Sequence, residues 1–397
     1  MAPWAVEGTP TDDAQDWFIL EEMAAKKAAG PRPSDRPREI VKRSLLEYLP
    51  FYPAVARTVL RPMLVDARNE TFVLYTLLMA ATVLPSAAWL FASFAWWHGA
   101  VHVVLVTQLA ATYVAILHNS CHRATYAKPF AYMEYLIPYV LAPFMGQTWN
   151  TYYYHHVKHH HVEDNGPNDL SSTLRYRRDS FADFVVYFLR FLLLTWLELP
   201  LYFVKRREYD RAALTFGGEL GTMGLMALAA SYNGAAVACF FLLPLIIVRF
   251  GMMSGNWGQH AFIAQDDPQN NYKSSTVCIR HDYNRQAYND GYHTSHHLNP
   301  RRHWADHTNY FLSELDAFYS HQTIVFRDVD FMGVWIMLML RQYNRMAELF
   351  VHCGPEHERP SKAQIIALIK SRVQPFSEAQ IRKHYPNYDI AKSVADD

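Results

Sequence analysis

Histidines are concentrated in four short segments of this chain. The densest segment, HHVKHHH, places five histidines within residues 155–161. The other three segments are HNSCH at 118–122, NWGQH at 256–260 and HTSHH at 293–297. Because imidazole is a good ligand for iron, zinc, copper and nickel, this clustering indicates a metal site.

The spacing within each segment matches the repeat of an α-helix. Residues i, i+3 and i+4 lie on one face of a helix, and the segments contain one HxxxH, one NxxxH and two HxxHH patterns. One ion has no use for nine histidines, whereas two ions can share them at four or five each. The candidate ligands are His118, His122, His156, His159, His160, His260, His293, His296 and His297, together with Asn256.

The second segment contains more histidines than one HxxHH pattern needs. A shift in helical phase would let His155 or His161 replace His156 or His159 as a ligand. The sequence therefore leaves the choice of ligands within residues 155–161 open. For this segment taken alone, a solvated polar patch is the alternative.

Four apolar runs are long enough to cross a bilayer as helices, which requires about 20 residues. They lie at 71–97 and 99–117, and at 212–230 and 234–254, and a short turn joins each pair into a hairpin. Neither turn contains Lys or Arg, whereas the other ends of the hairpins are basic. The positive-inside rule then places both termini and all four histidine segments on the cytoplasmic side.

Two further apolar segments, 133–149 and 181–204, are poorer candidates for spans. The first contains two prolines, and the second contains Asp183, Arg190 and Glu198 between basic flanks. We expect both segments to lie in the membrane plane or to re-enter it. The alternative is two more spans, which would leave the later segments on the same side of the membrane.

Composition limits the other classes of protein. Charged residues make up 19% of the chain and aromatic residues 15%, while Lys plus Arg and Asp plus Glu number 37 each. The net charge therefore gives no sign of nucleic-acid binding, and we expect no nucleic-acid partner. The cysteines show no paired spacing, so neither a disulfide framework nor a zinc knuckle is predicted; they are Cys121, Cys239, Cys278 and Cys353.

The residues around the histidines favour a redox pair of metals. Soluble di-iron bundles use Glu-x-x-His motifs, yet no glutamate stands three residues before any histidine. A structural zinc site closes with four ligands and usually includes cysteine. Non-catalytic binding of zinc or haem remains an alternative. A proton-coupled transporter fits less well, because the histidines lie at one membrane face and not at its middle.

The order and spacing of these segments resemble the histidine boxes of the membrane fatty acid desaturase superfamily. The resemblance rests on HNSCH, HHVKHH, NWGQH and HTSHH and covers roughly residues 70–310. It implies an all-α integral membrane fold with two transmembrane hairpins (four spans), in-plane helices and a cytoplasmic histidine-box cap. It divides the chain into a cytoplasmic N-terminal segment (1–69), a catalytic domain (70–310) and a cytoplasmic C-terminal helical segment (311–397).

The resemblance also implies a function. The named ligands would hold two iron ions, with Asn256 acting through a water molecule, and O2 would be the co-substrate. The expected enzyme is a lipid desaturase that introduces a double bond into a fatty acyl chain. A fatty acyl hydroxylase and an alkene-forming decarboxylase are the alternatives on the same di-iron scaffold.

The same family points to the partners and the compartment. No His-Pro-Gly-Gly haem motif occurs, so a separate electron donor such as cytochrome b5 or ferredoxin is expected. The protein would be a multi-pass membrane protein, in the endoplasmic reticulum membrane of a eukaryote or the inner membrane of a bacterium.

Residues outside the boxes are expected to support the site. Metal-binding histidines usually donate their second ring N–H to an acceptor; Asp164, Asp169 and Asp290 are candidates for that role, although each could equally cap a helix or a turn. Several basic residues could hold a phosphate-bearing headgroup or CoA, or simply mark the cytoplasmic face. They are Arg177, Arg178, Lys205, Arg206, Arg207, Arg301 and Arg302.

Overall fold

The computed structural model describes Leu20 and residues 52–388. Most of segment 1–69, and the end of segment 311–397, lie outside the described residues. The described part is mainly helical and contains one small parallel sheet, in which Thr276–Ile279 (β1) pairs with Ile324–Arg327 (β2). Apart from this sheet, the predicted all-α integral membrane fold is confirmed.

Long apolar helices form the part of the molecule predicted to meet the membrane. They are α1 (Glu70–Ala92), α2 (Trp96–His122), α3 (Phe181–Lys205), α4 (Tyr209–Val237) and α5 (Leu243–Gln259). A π-helical turn, Ala238–Leu242, joins α4 to α5.

Length and composition mark four segments as candidate spans: Ala67–Ala92, Trp96–His122, Phe181–Lys205 and Tyr209–Gln259. The last has 51 residues; as one helix it would be about 77 Å long, far more than the ~30 Å of a bilayer core. The helix breaks at Asn233, whose φ of −149° is not helical. The segment therefore forms the second hairpin, with its turn within the predicted residues 231–234.

The first hairpin turns slightly earlier than predicted. Its turn comprises Ser93, Phe94 and Ala95, because α2 already begins at Trp96 rather than after His98. Hydropathy does not locate this turn, since the residues on both sides of it are apolar. At the same end of the molecule, the Asn233 side chain donates to a carbonyl of α1, that of Phe91, at 3.0 Å.

Helix α3 qualifies as a span by length and composition, but its contacts favour the in-plane arrangement. The Tyr187 hydroxyl accepts a hydrogen bond from Asn256 at 2.7 Å, and the Tyr202 hydroxyl donates to Glu163 at 2.6 Å. These tyrosines lie about 22 Å apart along the helix, yet both touch segments that carry histidine boxes. A helix crossing the bilayer would carry one end away from those segments, so in-plane placement remains our prediction.

Segment 133–149 contains no long helix. Residues 128–144 form a 3-10 helix, a π turn and a second 3-10 helix: Lys128–Tyr135, Leu136–Leu141 and Ala142–Phe144. Pro138 and Pro143 interrupt regular hydrogen bonding here. The segment is not among the candidate spans, in agreement with the prediction.

Short helices make up the rest of the described chain. A composite helix, here called the box-2 helix, consists of Thr151–His155, the π turn His156–His160 and His161–Glu163. Four further helices follow the long apolar helices in the chain and belong to what we call the cap: α6 (His293–Leu298), α7 (Phe331–Met339), α8 (Tyr343–Leu349) and α9 (Lys362–Arg372). The others are Tyr52–Val55, Ala56–Leu60, Arg61–Met63, Ala67–Asn69, Asn271–Ser274, Tyr283–Gln286, Trp304–Asp306, His307–Ser313, Leu315–Ser320, Glu356–Glu358 and Glu378–His384.

A buried arginine ties three segments of the cap together. The Arg178 side chain is fully buried. Its guanidinium donates to the carbonyls of Thr173 at 2.9 Å, Ala261 at 2.9 Å and Arg372 at 3.0 Å. The segment after box 2, the segment after α5 and the end of α9 are thereby held against one another.

Candidate metal centre

The first two box histidines come from the end of a membrane helix. His118 and His122 lie on the last two turns of α2, where the i, i+4 spacing puts them on one face. The helix stops there because Arg123 is extended, with φ −142° and ψ 136°. Both imidazoles are therefore presented at the edge of the apolar bundle.

The box-2 helix departs from α-helical geometry, and this changes its ligand pattern. In a π turn, residue i+5 lies above residue i, and the π turn here covers His156–His160. The Nε2 atoms of His156 and His161 consequently lie 3.2 Å apart. His161 therefore joins His156, and His159 points elsewhere, which is one of the alternatives to HxxHH that the sequence left open for this box.

Five histidines form a first group. Their ring nitrogens, one per residue, all lie within 4.8 Å of one another. The Nε2 of His296 is 2.9 Å from that of His118 and 2.9 Å from that of His161. The members are His118, His122, His156, His161 and His296.

Four buried histidines form a second group. They are His160, His260, His293 and His297, again with ring nitrogens within 4.8 Å. The Nε2 atoms of His260 and His293 are 3.1 Å apart. Boxes 2 and 3 each contribute to both groups, since neighbours such as His160 and His161 point to different ones. The structure thus brings together eight of the nine predicted histidines, with His161 in the place of His159.

The two groups fit metal ions. Ligands at right angles, about 2.1 Å from a common ion, are about 3.0 Å apart, and the closest Nε2 pairs are 2.9–3.2 Å apart. The Nε2 of His297 is buried and has no hydrogen-bond partner among the described residues. Burying an unpaired polar atom is costly, and an ion bound to that nitrogen would remove the cost. Imidazole suits iron, zinc, copper and nickel, so the donor set is compatible with iron.

His159 lies behind the two groups. Its Nε2 accepts a hydrogen bond from the backbone N–H of Leu170 at 2.8 Å, and it is 3.6 Å from Asp169. The neighbouring His155 packs edge-on against Phe191, with ring centroids 5.0 Å apart. His155, His159 and Asp169 form a third cluster of possible ligands, but the hydrogen bond to Leu170 already uses one nitrogen of His159.

Asn256 lies one helical turn before His260 on α5. Its amide nitrogen donates to the Ser171 carbonyl at 3.0 Å and to the Tyr187 hydroxyl at 2.7 Å. These two bonds orient the Asn256 side chain, which lines an apolar cavity next to the histidines. The arrangement is compatible with the predicted water-mediated role.

The three predicted aspartates all approach the outward-facing Nδ1 atoms of box histidines. Asp169 is 2.7 Å from His160, and Asp164 is 2.7 Å from His297. Asp290 is farther, at 3.7 Å from His118. Asp169 and Asp164 are close enough to accept from Nδ1–H and so select the tautomer that leaves Nε2 available to a metal, whereas the 3.7 Å at Asp290 is too long for a hydrogen bond.

The aspartates differ in charge. Burial raises the pKa of Asp169 and of Asp164, but the adjacent histidines, His160 and His297, reverse this effect and lower both pKa values overall. Burial dominates at Asp290 and raises its pKa to about 7. Asp164 and Asp169 therefore remain ionised. Both contact the four-histidine group, through His297 and His160, where their negative charge would offset that of a metal ion.

A buried ion pair anchors the start of the box-2 helix, and we did not predict it. Glu219 of α4 and Arg249 of α5 are 2.8 Å apart and almost fully buried. Glu219 also accepts from the hydroxyl of Thr151, the first residue of the helix, at 2.8 Å. The sequence did contain a signal for this pair. Glu219 and Arg249 are each the single charged residue of an apolar run, and ionisable residues in such runs are rare and usually functional.

An apolar cavity leads to the histidines. Its volume is about 690 Å³, within the range of pockets for small ligands. It runs between α2 and α5, where small residues leave space, and reaches both histidine groups. No Lys or Arg occurs among the described lining residues. The small lining residues of α2 and α5 are Ala110, Ala111, Ala115, Gly251 and Gly255, and the lining histidines are His118, His155, His156, His160 and His293.

Fold and site together define a class of protein: a helical, multi-pass membrane protein with two histidine groups suited to metal at the end of an apolar cavity. A sequence model of the fatty acid desaturase family matches residues 94–327. The match spans more than half of the chain, so the chain belongs to the fatty acid desaturase family, as its histidine boxes predicted. No curated protein matches the chain. Family membership makes it a lipid-modifying oxidoreductase of a membrane.

Proposed function

We propose that this protein is an O2-dependent di-iron desaturase that introduces a double bond into a fatty acyl chain. The observation that carries the proposal is the apolar cavity ending at two groups of histidines. An acyl chain is the substrate whose shape and polarity suit such a cavity. We infer that residues 70–310 form the catalytic domain, flanked by the cytoplasmic segments 1–69 and 311–397.

The residues that would hold the two irons follow from the grouping. One iron would be bound by the five-histidine group and the other by the four-histidine group, with Asn256 beside the latter. The chemistry that bound iron supplies is the reductive activation of O2 for removal of hydrogen from unactivated C–H bonds. Asp164 and Asp169 would hold the histidines of the second group in the productive tautomer.

The remaining residues would position the acyl chain and limit access of water. Small residues of α2 and α5 leave a channel for the chain, while Phe191 and Phe331 line it near the histidines. Forming one double bond while reducing O2 to two waters consumes two electrons and two protons beyond those of the substrate. We therefore include a separate electron donor, such as cytochrome b5 or ferredoxin, in the proposal, and we place the enzyme in the endoplasmic reticulum or a bacterial inner membrane.

The test is lipid profiling by mass spectrometry in host cells that supply a competent electron donor. Cells would express the wild type, His296→Ala or His357→Ala. His296 belongs to the five-histidine group, whereas the His357 side chain is 80% exposed and serves as the matched control. We expect new unsaturated acyl chains with the wild type and His357→Ala but not with His296→Ala.

Other products would change the conclusion. A hydroxylated chain or a terminal alkene that depends on His296 would keep the metal site but overturn desaturation as the outcome. An unchanged lipid profile, with iron present in the purified wild type and donors of both kinds supplied, would contradict the proposal.

A further inference from the structure

A groove on the cap lies apart from the cavity. It consists of two adjoining depressions of about 400 and 310 Å³ that share Arg341, Tyr343 and Lys370. We call it the interfacial groove; none of its described lining residues lines the apolar cavity that reaches the histidines.

The interfacial groove carries an excess of positive charge. Asp179 is the one carboxylate among its described lining residues, and it is 2% exposed. Its oxygens already accept hydrogen bonds from Arg177, at 2.7 Å, and from the Tyr343 hydroxyl. Arg341 and Arg345 remain 56% and 61% exposed. A neutralised carboxylate below exposed cations leaves a surface that attracts anions.

Lysine 370 completes this arrangement. Its ammonium group lies 5.0 Å from the centre of the Tyr343 ring, and the Arg341 side chain donates to the Asp179 carbonyl at 3.2 Å. Arg345 also forms an ion pair with Glu348, which lies outside the groove; the guanidinium nitrogen and the carboxylate oxygen are 3.4 Å apart. Three of the cations thus come from separate elements: Arg345 from α8, Lys370 from α9 and Arg341 from the turn between α7 and α8. All three line the groove together with Tyr343.

Exposed apolar side chains lie close in sequence to residues that line the groove. Leu340, directly before Arg341, is 63% exposed, and Ile336, one turn earlier on α7, is 43% exposed. Phe181, two residues after Asp179, is 59% exposed and begins the apolar outer face of α3. Cations beside exposed apolar side chains are the arrangement found where a protein meets the interface of a bilayer.

We propose that the interfacial groove binds the phosphate of a membrane phospholipid headgroup. Arg341 and Lys370 contact the phosphate, while Leu340, Ile336 and Phe181 lie among the acyl chains. Guanidinium groups bind phosphate oxygens through paired N–H donors, and juxtamembrane cations gain from an anionic lipid surface. The site fastens α8 and α9 to the membrane, whichever reaction the histidine centre performs.

Native mass spectrometry of the full-length protein tests this proposal. The probe is phosphatidylglycerol, titrated against a neutral diacylglycerol of the same chains. The variant is Arg341→Gln with Lys370→Gln, and the matched control is Arg280→Gln with Arg285→Gln, which removes the same charge from exposed cap residues. At about fivefold per cation, the groove variant should bind the tightest phosphatidylglycerol about 30-fold more weakly, and the control should match the wild type.

Each outcome decides the proposal. Equal phosphatidylglycerol affinity in the groove variant and the control would overturn it. So would preferential binding of CoA over phosphatidylglycerol at equal concentration, because the groove would then serve a soluble phosphate ligand. Should the double variant fail to fold, Lys370→Gln alone is compared with Arg285→Gln, with an expected fivefold loss. The metal centre is untouched, so a desaturase assay on the same samples reports separately on the proposed function.

Discussion

Replacing His161 and His159 of the box-2 helix by alanine, one at a time, tests the metal centre most directly. His161→Ala removes one of the five imidazoles of the first group. The Nε2 atom of His161 lies 3.2 Å from that of His156 and 2.9 Å from that of His296. Loss of even a residue that only supports a ligand costs 10–100-fold in metal affinity, so loss of a ligand should cost about 100-fold or more. His161→Ala should therefore retain the iron of the four-histidine group and lose the other.

His159→Ala should behave differently. This change removes the acceptor of the Leu170 backbone N–H, a bond of 2.8 Å. A buried donor left without its partner costs about 1–3 kcal/mol of stability. The thermal unfolding temperature should fall by several degrees, while both irons remain bound.

The assay is iron content per chain after equilibration with a graded series of chelator concentrations. Wild type, His159→Ala, His161→Ala and the surface control His357→Ala are compared at equal folded fraction. If His159→Ala loses one iron and His161→Ala keeps both, the box-2 helix has α-helical phase in the working enzyme, and the reasoning from its π turn is refuted.

Three further substitutions probe other parts of the structure. Asp169→Asn should weaken iron binding by about 10–100-fold in the same chelator assay, and an unchanged affinity would show that its contact with a box histidine is not used. Gly251→Leu should lower kcat/KM by more than about tenfold with iron content unchanged, because a Cβ there meets open space within the cavity; full activity would place the acyl chain elsewhere. Arg178→Lys should lower the unfolding temperature, since lysine cannot donate to the carbonyls of both Ala261 and Arg372 in arginine's geometry, and unchanged melting would contradict its role in holding the cap.

Local spacing predicted the candidate site well where one regular helix carries the residues. His118 and His122 lie on one face of α2, as the HxxxH spacing requires. The three aspartates were chosen by their closeness to the boxes in sequence, and each lies near a histidine Nδ1 atom. Of these contacts, only that of Asp169 with His160 is local. Asp164 lies against His297 and Asp290 near His118, both far away in the chain, so closeness in sequence chose the residues but not their partners.

Prediction failed where the backbone leaves its regular repeat. Nothing in the letters HHVKHHH distinguishes a π turn from an α-helix, so the choice between His159 and His161 was open in the sequence. The placement of α3 is a different case and stays a prediction: the sequence favoured an in-plane course, whereas length and composition also qualify the helix as a candidate span. Its contacts through Tyr187 and Tyr202 argue for the membrane plane.

The sequence by itself determined the kinds of ligand, the apolar helices and the family. These properties are local, since they follow from residue types and from spacings along a single helix. Only the tertiary structure decided how the histidines divide into groups of five and four, where the cavity runs, and which cations surround Tyr343. Those features join residues far apart in the chain, such as His122 with His156 and Asp179 with Tyr343. Their proximity arises from the packing of whole helices, which no local pattern specifies.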